Sequence, residues 1–366
     1  MELTFSVIRL ILQANFASVV SILVLVAFII TNTTFSDSIN RCFILICISL
    51  LFLIVTDDMR FYYGHLPYPT FYRYVAAGTG YTLRPIIVFL LSIIASRYNI
   101  KRTTLLILPL AICSIISIIS IFPFGKGIMF SFSDENVCIR GPFGYFSHFL
   151  TIAYSLLSIY YSSKNYSQNK FEPMVLVLLE IAGLTATILV HFFGYDILLS
   201  QVFISAIIFY YFFLVTQIYK RDTLTSFLNR RCFYLEINHL LKKPMILLSM
   251  DLNNLKVFND TKGHAEGDKA LSTSANLMKK HFAKYAKLYR TGGDEFMAVF
   301  KKQNFSEIES IVKKFQDALA KTEYRVACGI AEYKPGDDIN ETISLCDERM
   351  YSNKVKIKNT ENFKKI

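Results

Sequence analysis

Hydrophobic and polar positions divide the chain into two regimes. Up to about residue 218, apolar residues run in long stretches near 9–31, 40–56, 74–96, 103–122, 145–162, 173–193 and 197–218. Each approaches the roughly 20 apolar residues that a helix needs to cross a bilayer, so the pattern predicts about seven spans. The first stretch has no basic leader and no small-residue cleavage site after it, so it reads as a retained anchor. From about residue 219 the runs shorten and alternate. Residues 222–241 read as a helix with a polar start and 244–251 as a buried strand. An amphipathic helix is expected at 267–285, and two hairpin strands, 287–290 and 295–301, flank a Gly-Gly turn. A helix at 306–322, a strand at 324–333 and a last helix at 339–356 complete the series. The fold class expected is an α-helical membrane bundle over 1–218 joined to a cytosolic α/β domain over 219–366, with one sheet covered by helices.

Composition sharpens this division. The 366 residues are 53% hydrophobic, more than a soluble chain carries. Residues 1–219 hold 12 Lys and Arg against 9 Asp and Glu, and residues 220–366 hold 27 against 19. A basic second region suits anionic lipid, a polyanionic substrate or nucleic acid. The connections around Arg97, Lys101 and Arg102, and from Lys164 to Lys170, are basic without acids. Other connections mix signs: Asp57, Asp58 and Arg60 in one, and Lys126, Asp134, Glu135 and Arg140 in another. That bias puts the N-terminus outside and residue 219 onward in the cytosol. The seven cysteines form no CxxC pair, so a zinc or redox site is not expected.

Three ionisable residues fall inside predicted spans: Arg84, Glu180 and His191. A charge in hydrocarbon is costly, which makes each a candidate for membrane sensing. Glu180, Thr187 and His191 share one helix face, as a polar seam between helices or as part of a ligand pocket. Arg84 precedes Pro85, where a kink is expected. Residues 123–144, with Gly125, Gly127, Gly141 and Pro142, form the longest outer segment and are expected to cover the outer face. An external or intramembrane ligand is expected, of unknown identity.

The second region carries two clusters with chemistry. One is Arg290-Thr291-Gly292-Gly293-Asp294-Glu295-Phe296, where paired glycines permit a tight turn open to close approach by a ligand. Consecutive strand residues point to opposite faces, so Asp294 and Glu295 are not expected to share one role. The other starts at Asp251, at the end of the first strand, and runs through Lys256, Asn259, Asp260, Gly263, His264, Gly267 and Asp268. Were the hairpin to lie beside that strand, Asp251 and Asp294 would converge. Two carboxylates and a backbone carbonyl make a hard oxygen site suited to Mg²⁺.

These residues resemble the GGDEF family of diguanylate cyclases over about 219–360. The match runs in order through Asp222-Thr223-Leu224-Thr225 with Asn229-Arg230-Arg231, the Asp251–Asp268 block, Gly292–Phe296, Gly329-Ile330-Ala331, and Asp347–Lys358. The resemblance implies a palm-like nucleotide-cyclase domain that joins two GTP into cyclic di-GMP. It implies Mg²⁺ or Mn²⁺ on Asp251, Asp294 and the carbonyl of Leu252, with Asp294, Glu295 and Lys256 catalytic. It implies guanine contacts from Asn259 and Asp268, backbone approach at Gly292 and Gly293, and phosphate contacts from Lys354 and Lys358. It also implies a homodimer, with Arg290 a candidate contact to the partner, at a bacterial inner membrane. Lys358 stands where the family usually has Arg, and Ile357 where Gly is common. The family's inhibitory product site has Arg and Asp where this chain has Ala283 and Ala286, so feedback through it is not expected. The alternative is a catalytically silent GTP-binding sensor. No DNA- or RNA-reading motif is present, so nucleic acid is not an expected partner. The membrane half is topologically similar to bacterial seven-span sensory modules.

Overall fold

The computed structural model describes residues 2–96, 103–165, 171–193 and 199–363. The chain divides into two compact units, residues 1–215 and 216–366.

The first unit is helical. Its helices are α1 (Glu2–Thr31), α2 (Asp37–Gly64), α3 (Phe71–Ala95), α4 (Thr103–Ile119), α5 (Phe146–Asn165), α6 (Phe171–Phe193) and α7 (Leu199–Tyr219). Each overlaps a predicted apolar stretch. Among the described residues, only α2, α3 and α7 are long and apolar enough to cross a membrane; Asn15–Thr31 and Leu105–Ile119 form shorter apolar helices. The clear candidates are thus three, against an expectation of about seven. The basic connections around Arg97, Lys101, Arg102 and Lys170 lie outside the described residues.

Two local expectations change. Asp57, Asp58 and Arg60 lie in the last turns of α2, not in a connection. Asp57 is buried there because Arg84 of α3 donates to it at 3.0 Å; a paired charge can stay inside. Helix α3 continues through Pro85. Residues 123–144 form a folded plug, with a 3₁₀ turn at Pro123–Gly125 and a hairpin of β1 (Phe130–Phe132) and β2 (Cys138–Arg140). Met129 and Phe130 are fully buried against Ala77, Val88, Cys113 and Tyr154. A side chain at Gly141 would collide with the carbonyls of Gly127 and Ile128, which explains the glycine. All seven cysteines are free.

The second unit contains β3 (Leu228–Asn229), α8 (Arg230–Leu240), β4 (Met245–Leu252), α9 (Leu255–Lys262), α10 (His264–Phe282), β5 (Ala286–Arg290), β6 (Glu295–Phe300), α11 (Phe305–Leu319), β7 (Val326–Tyr333) and α12 (Ile339–Phe363). The strands form one sheet in the order β3-β5-β6-β4-β7, antiparallel except for β3 beside β5. All eight residues of β4 are buried, as a central strand covered on both faces requires. Ile246, Leu248, Met250 and Leu252 join a core with residues of α10 and α11. The alternate residues Met245 and Leu247 join one with Phe233 of α8 and Cys346 of α12. Glu236 of α8 accepts from Lys287 and Lys301, at 2.6 Å each, and ties that helix to β5 and β6.

The expected helix over 222–241 starts later. Asp222–Phe227 is a turn in which the Asp222 carboxylate accepts from the Thr225 amide at 2.8 Å and hydroxyl at 2.7 Å, and Ser226 has φ 61°. Asn229 then caps α8, accepting from the Cys232 amide at 3.1 Å. The α9 helix was not expected; Asn254, with φ 62°, turns the chain into it, a conformation that Asn tolerates better than most residues.

Candidate active site

The site forms where β4 ends. Asp251, 6% exposed, pairs in register with Glu295, the first residue of β6. Directly opposed strand residues share a face, so Glu295 lies on the same side of the sheet as Asp251. Asp294 belongs to the turn before the strand. The amide of Leu252 donates to the Asp294 carbonyl at 3.0 Å, which fixes that turn over the end of β4. The amides of Thr291 and Gly292 both donate to the Glu295 carbonyl, at 2.9 and 3.3 Å, and close it. A Cβ on Gly292 would displace the Glu295 carboxylate.

Helix α12 brings the cations. It approaches β7 so closely that a Cβ on Gly329 would strike the backbone at Cys346 and Met350. Three polar ties hold it. Ser249 donates to Asp347 at 2.7 Å, the Cys328 amide to Asn353 at 2.9 Å, and Arg349 to the Ile330 carbonyl at 2.6 Å. Lys354 Nζ thereby lies 2.6 Å from Asp251 Oδ1. Burial pushes the Asp251 carboxyl up; Lys354 opposes that, Asp294 reinforces it, and the net result is above the ordinary carboxylate range. Lys358, one helical turn further on, is exposed.

The expected guanine residues lie on neighbouring helices. Asn259 of α9 lies against Gly267 of α10, where a Cβ would displace its carboxamide. Asp268 is next in sequence and exposed, as is Lys256 in the first turn of α9. The structure thus gathers Asp251, Leu252, Gly292, Gly293, Asp294, Glu295 and Lys354 at one end of the sheet, with Asn259 and Asp268 together on α9 and α10.

Arg290 is engaged within its own chain. Its Nη1 donates to both Asp222 oxygens at 3.0 Å, and its Nε and Nη2 donate to the Gly293 carbonyl at 3.2 and 2.6 Å. It pins the Gly-Gly turn to the segment that opens the unit. Asp222 reads from the sequence as part of the opening signature and a helix start, and its separation of 68 positions from Arg290 gives no local signal of this role. Asn253 was also missed. It is 1% exposed, and neither atom of its carboxamide has a hydrogen-bond partner among the described residues.

A divalent cation fits this donor set. No group of three His, Cys, Asp or Glu side chains forms among the described residues; the Asp251 and Asp294 carboxylates and the Leu252 carbonyl would offer hard oxygens. Asp251 already draws a cation, the Lys354 ammonium, and the unsatisfied Asn253 amide lies two residues on. In the first unit, Arg84 pairs with Asp57, and Glu180 lies near Ser155 of α5. The side chains of Thr187 and His191 lie outside the described residues.

The family described as "Diguanylate cyclase, GGDEF domain" matches residues 219–360. Residues 219–360 therefore form a GGDEF domain, and relatives similar to it are named as diguanylate cyclases. Probable diguanylate cyclase DgcJ of Escherichia coli is 31% identical over 143 residues, 36% of this chain and 29% of its own. Diguanylate cyclase DgcZ of the same organism is 28% identical over 165 residues, 42% of this chain and 56% of its own. The chain thus spans under a third of DgcJ and just over half of DgcZ. The coiled coil and GGDEF domain of DgcB from Caulobacter crescentus, solved in complex with c-di-GMP, aligns with a TM-score of 0.39 at 22% identity. It covers 40% of this chain and 86% of that one.

Proposed function

We propose that this protein is a membrane-bound diguanylate cyclase that condenses two GTP into cyclic di-GMP and two pyrophosphate under control of its membrane half. The observation that carries this reading is the meeting of Asp251, Asp294 and Lys354 at the Gly-Gly turn, within a GGDEF domain. Each domain holds one GTP, so two protomers face each other. The 3′-oxygen of each GTP bonds to the α-phosphorus of the other, the bond from each α-phosphorus to its pyrophosphate oxygen breaks, and Asp294 of each protomer takes a hydroxyl proton. Bound Mg²⁺ or Mn²⁺ supplies charge neutralisation on the triphosphate and polarises the α-phosphorus. Lys256, Lys354 and Lys358 grip phosphate oxygens, and Glu295 orients the turn beneath them. Asp268 and Asn259 read the guanine edge; a carboxylate accepts from N1 and N2 hydrogens that adenine lacks. Positioning and electrostatics then provide most of the acceleration.

The seven apolar helices all span the bilayer in this reading, with the N-terminus outside and the cyclase in the cytosol of a bacterial cell. Lys220 follows α7 at once, so a movement of that helix reaches the domain with no intervening linker. Calorimetric titration with GTP tests the site. Binding should require Mg²⁺, weaken at least about tenfold for ATP, and lose its metal dependence in Asp251→Asn. Equal binding of ATP and GTP, or metal-independent binding, would overturn the assignment of the site.

A further inference from the structure

The first unit contains a cavity of about 800 Å³ whose lining, among the described residues, includes Arg60, Arg73, Arg84 and Arg140 and a single carboxylate, Asp57. Among the described lining residues, four arginines against one aspartate leave a formal charge of +3 before any histidine is counted. Asp57 is already shared. Its Oδ1 takes Arg84 at 3.0 Å and Arg60 at 3.8 Å, and its Oδ2 accepts from the Ser200 amide at 3.3 Å. Arg73 donates to the carbonyls of Arg60 and Asn136, at 2.8 and 3.4 Å, and its guanidinium sits 4.7 Å from the Phe132 ring centre. Arg140 sits 4.7 Å from the Tyr145 ring centre. Such stacking fixes a guanidinium by its face.

A surplus of three positive charges in a protein cavity is costly unless an anion accompanies it. We infer that this cavity is a binding site for a small organic polyanion bearing carboxylate or phosphate groups, whose oxygens the arginine forks match in pairs. The volume lies within the range of small-molecule clefts, about 300–1,000 Å³, far beyond one inorganic ion. Phe61, Ile152, Leu184 and Phe203 line the rest and suit a carbon skeleton. The cavity lies where α2 ends and α3, α5 and α7 begin, with the β1–β2 plug beside it. Leu199 and Phe203 put the first turn of α7 in its wall. The helix that a ligand touches is therefore the one that leads into the GGDEF domain. On the orientation proposed above, the ligand arrives from outside the cell, a point that rests on that reading; the binding itself does not.

The test uses the full chain in phosphatidylcholine nanodiscs, with citrate and glycerol 3-phosphate as probes at constant ionic strength and choline and glucose as controls. Buried Cys42, Cys47 and Cys113 let a thiol-reactive dye report thermal opening of the first unit, and calorimetry gives affinity. Saturable stabilisation by at least one anion and by neither control is expected. Arg60→Gln and Arg140→Gln, which leave the Arg84–Asp57 pair intact, should each weaken binding roughly tenfold. Stabilisation by phosphatidylglycerol in the disc, competed by citrate and lost in the same variants, would support the anion site and assign a lipid headgroup as its source. Absence of saturable binding, or binding unchanged in both variants, would overturn the inference. Repeating the titration in Asp294→Ala separates this result from the fate of the cyclase reading.

Discussion

Replacing Arg290 by glutamine removes a side chain that joins the opening turn of the cytosolic unit to its Gly-Gly turn. Four hydrogen bonds go with it, two to Asp222 and two to the Gly293 carbonyl. The Arg290 and Asp222 side chains are 14% and 21% exposed, so solvent screens the pair in part. A fully buried pair broken on one side costs about 3–5 kcal/mol and an exposed one under about 1 kcal/mol. Asp222 keeps its two bonds from Thr225 and is not orphaned. The expected loss is therefore about 2 kcal/mol. Turnover should fall about tenfold or more as Asp294 loses its fixed position. The assay is a double-mutant cycle with Asp222→Asn on the full-length protein, reading the urea midpoint by circular dichroism and product by mass. Additivity within about 0.3 kcal/mol, with turnover unchanged, would refute the reasoning. The pH dependence gives a second check. Burial pushes the Asp222 carboxyl up, but the Thr225 and Arg290 hydrogen bonds outweigh it and hold the group below its ordinary 3.8. A depressed carboxylate stabilises the fold fully above its unfolded value and loses that contribution as pH falls through its folded value. In Arg290→Gln the folded value rises toward 3.8, so this acid-dependent loss should become smaller and be complete at a higher pH.

Gly267→Ala should displace the Asn259 carboxamide and raise KM for GTP about fivefold or more, with thermal stability nearly unchanged; an unaltered KM would remove Asn259 from guanine recognition. Gly329→Ala must push α12 off β7, because the atoms it meets are backbone. Overpacking of this kind should cost about 1–3 kcal/mol in a urea titration and lower turnover by drawing Lys354 from Asp251. With Ala283 and Ala286 upstream of the Gly-Gly turn, added cyclic di-GMP should not inhibit turnover through that position; strong inhibition that mapped there by crosslinking would contradict this.

The sheet was legible where the sequence carried its own punctuation. Strand β4 showed itself as a continuous apolar run closed by Asp251, and the β5–β6 hairpin by Gly292-Gly293. Their convergence followed from pairing two strands whose ends both carried acids. The helix α9 was not legible, since Leu255, Val257 and Phe258 are too few to set a period and its start depends on the left-handed Asn254. The pairing of Arg290 with Asp222, and of Arg84 with Asp57, depends on tertiary approach across 68 and 27 residues. Local pattern holds no trace of such partners. Asp57 itself misled the placement of a boundary, because charge normally ends a span and here its partner keeps it within α2. The register put Glu295 on the face of Asp251, where alternation along one strand had only separated it from Asp294.

The central claim is tested most directly by GTP turnover of the purified full-length protein with Mg²⁺, in detergent and in nanodiscs, with products identified by mass and Asp294→Ala alongside. The account predicts cyclic di-GMP and pyrophosphate from the wild type and neither from the variant. GTP bound without product under all these conditions would contradict it in favour of a silent sensor, and absence of both binding and product would remove the nucleotide site altogether.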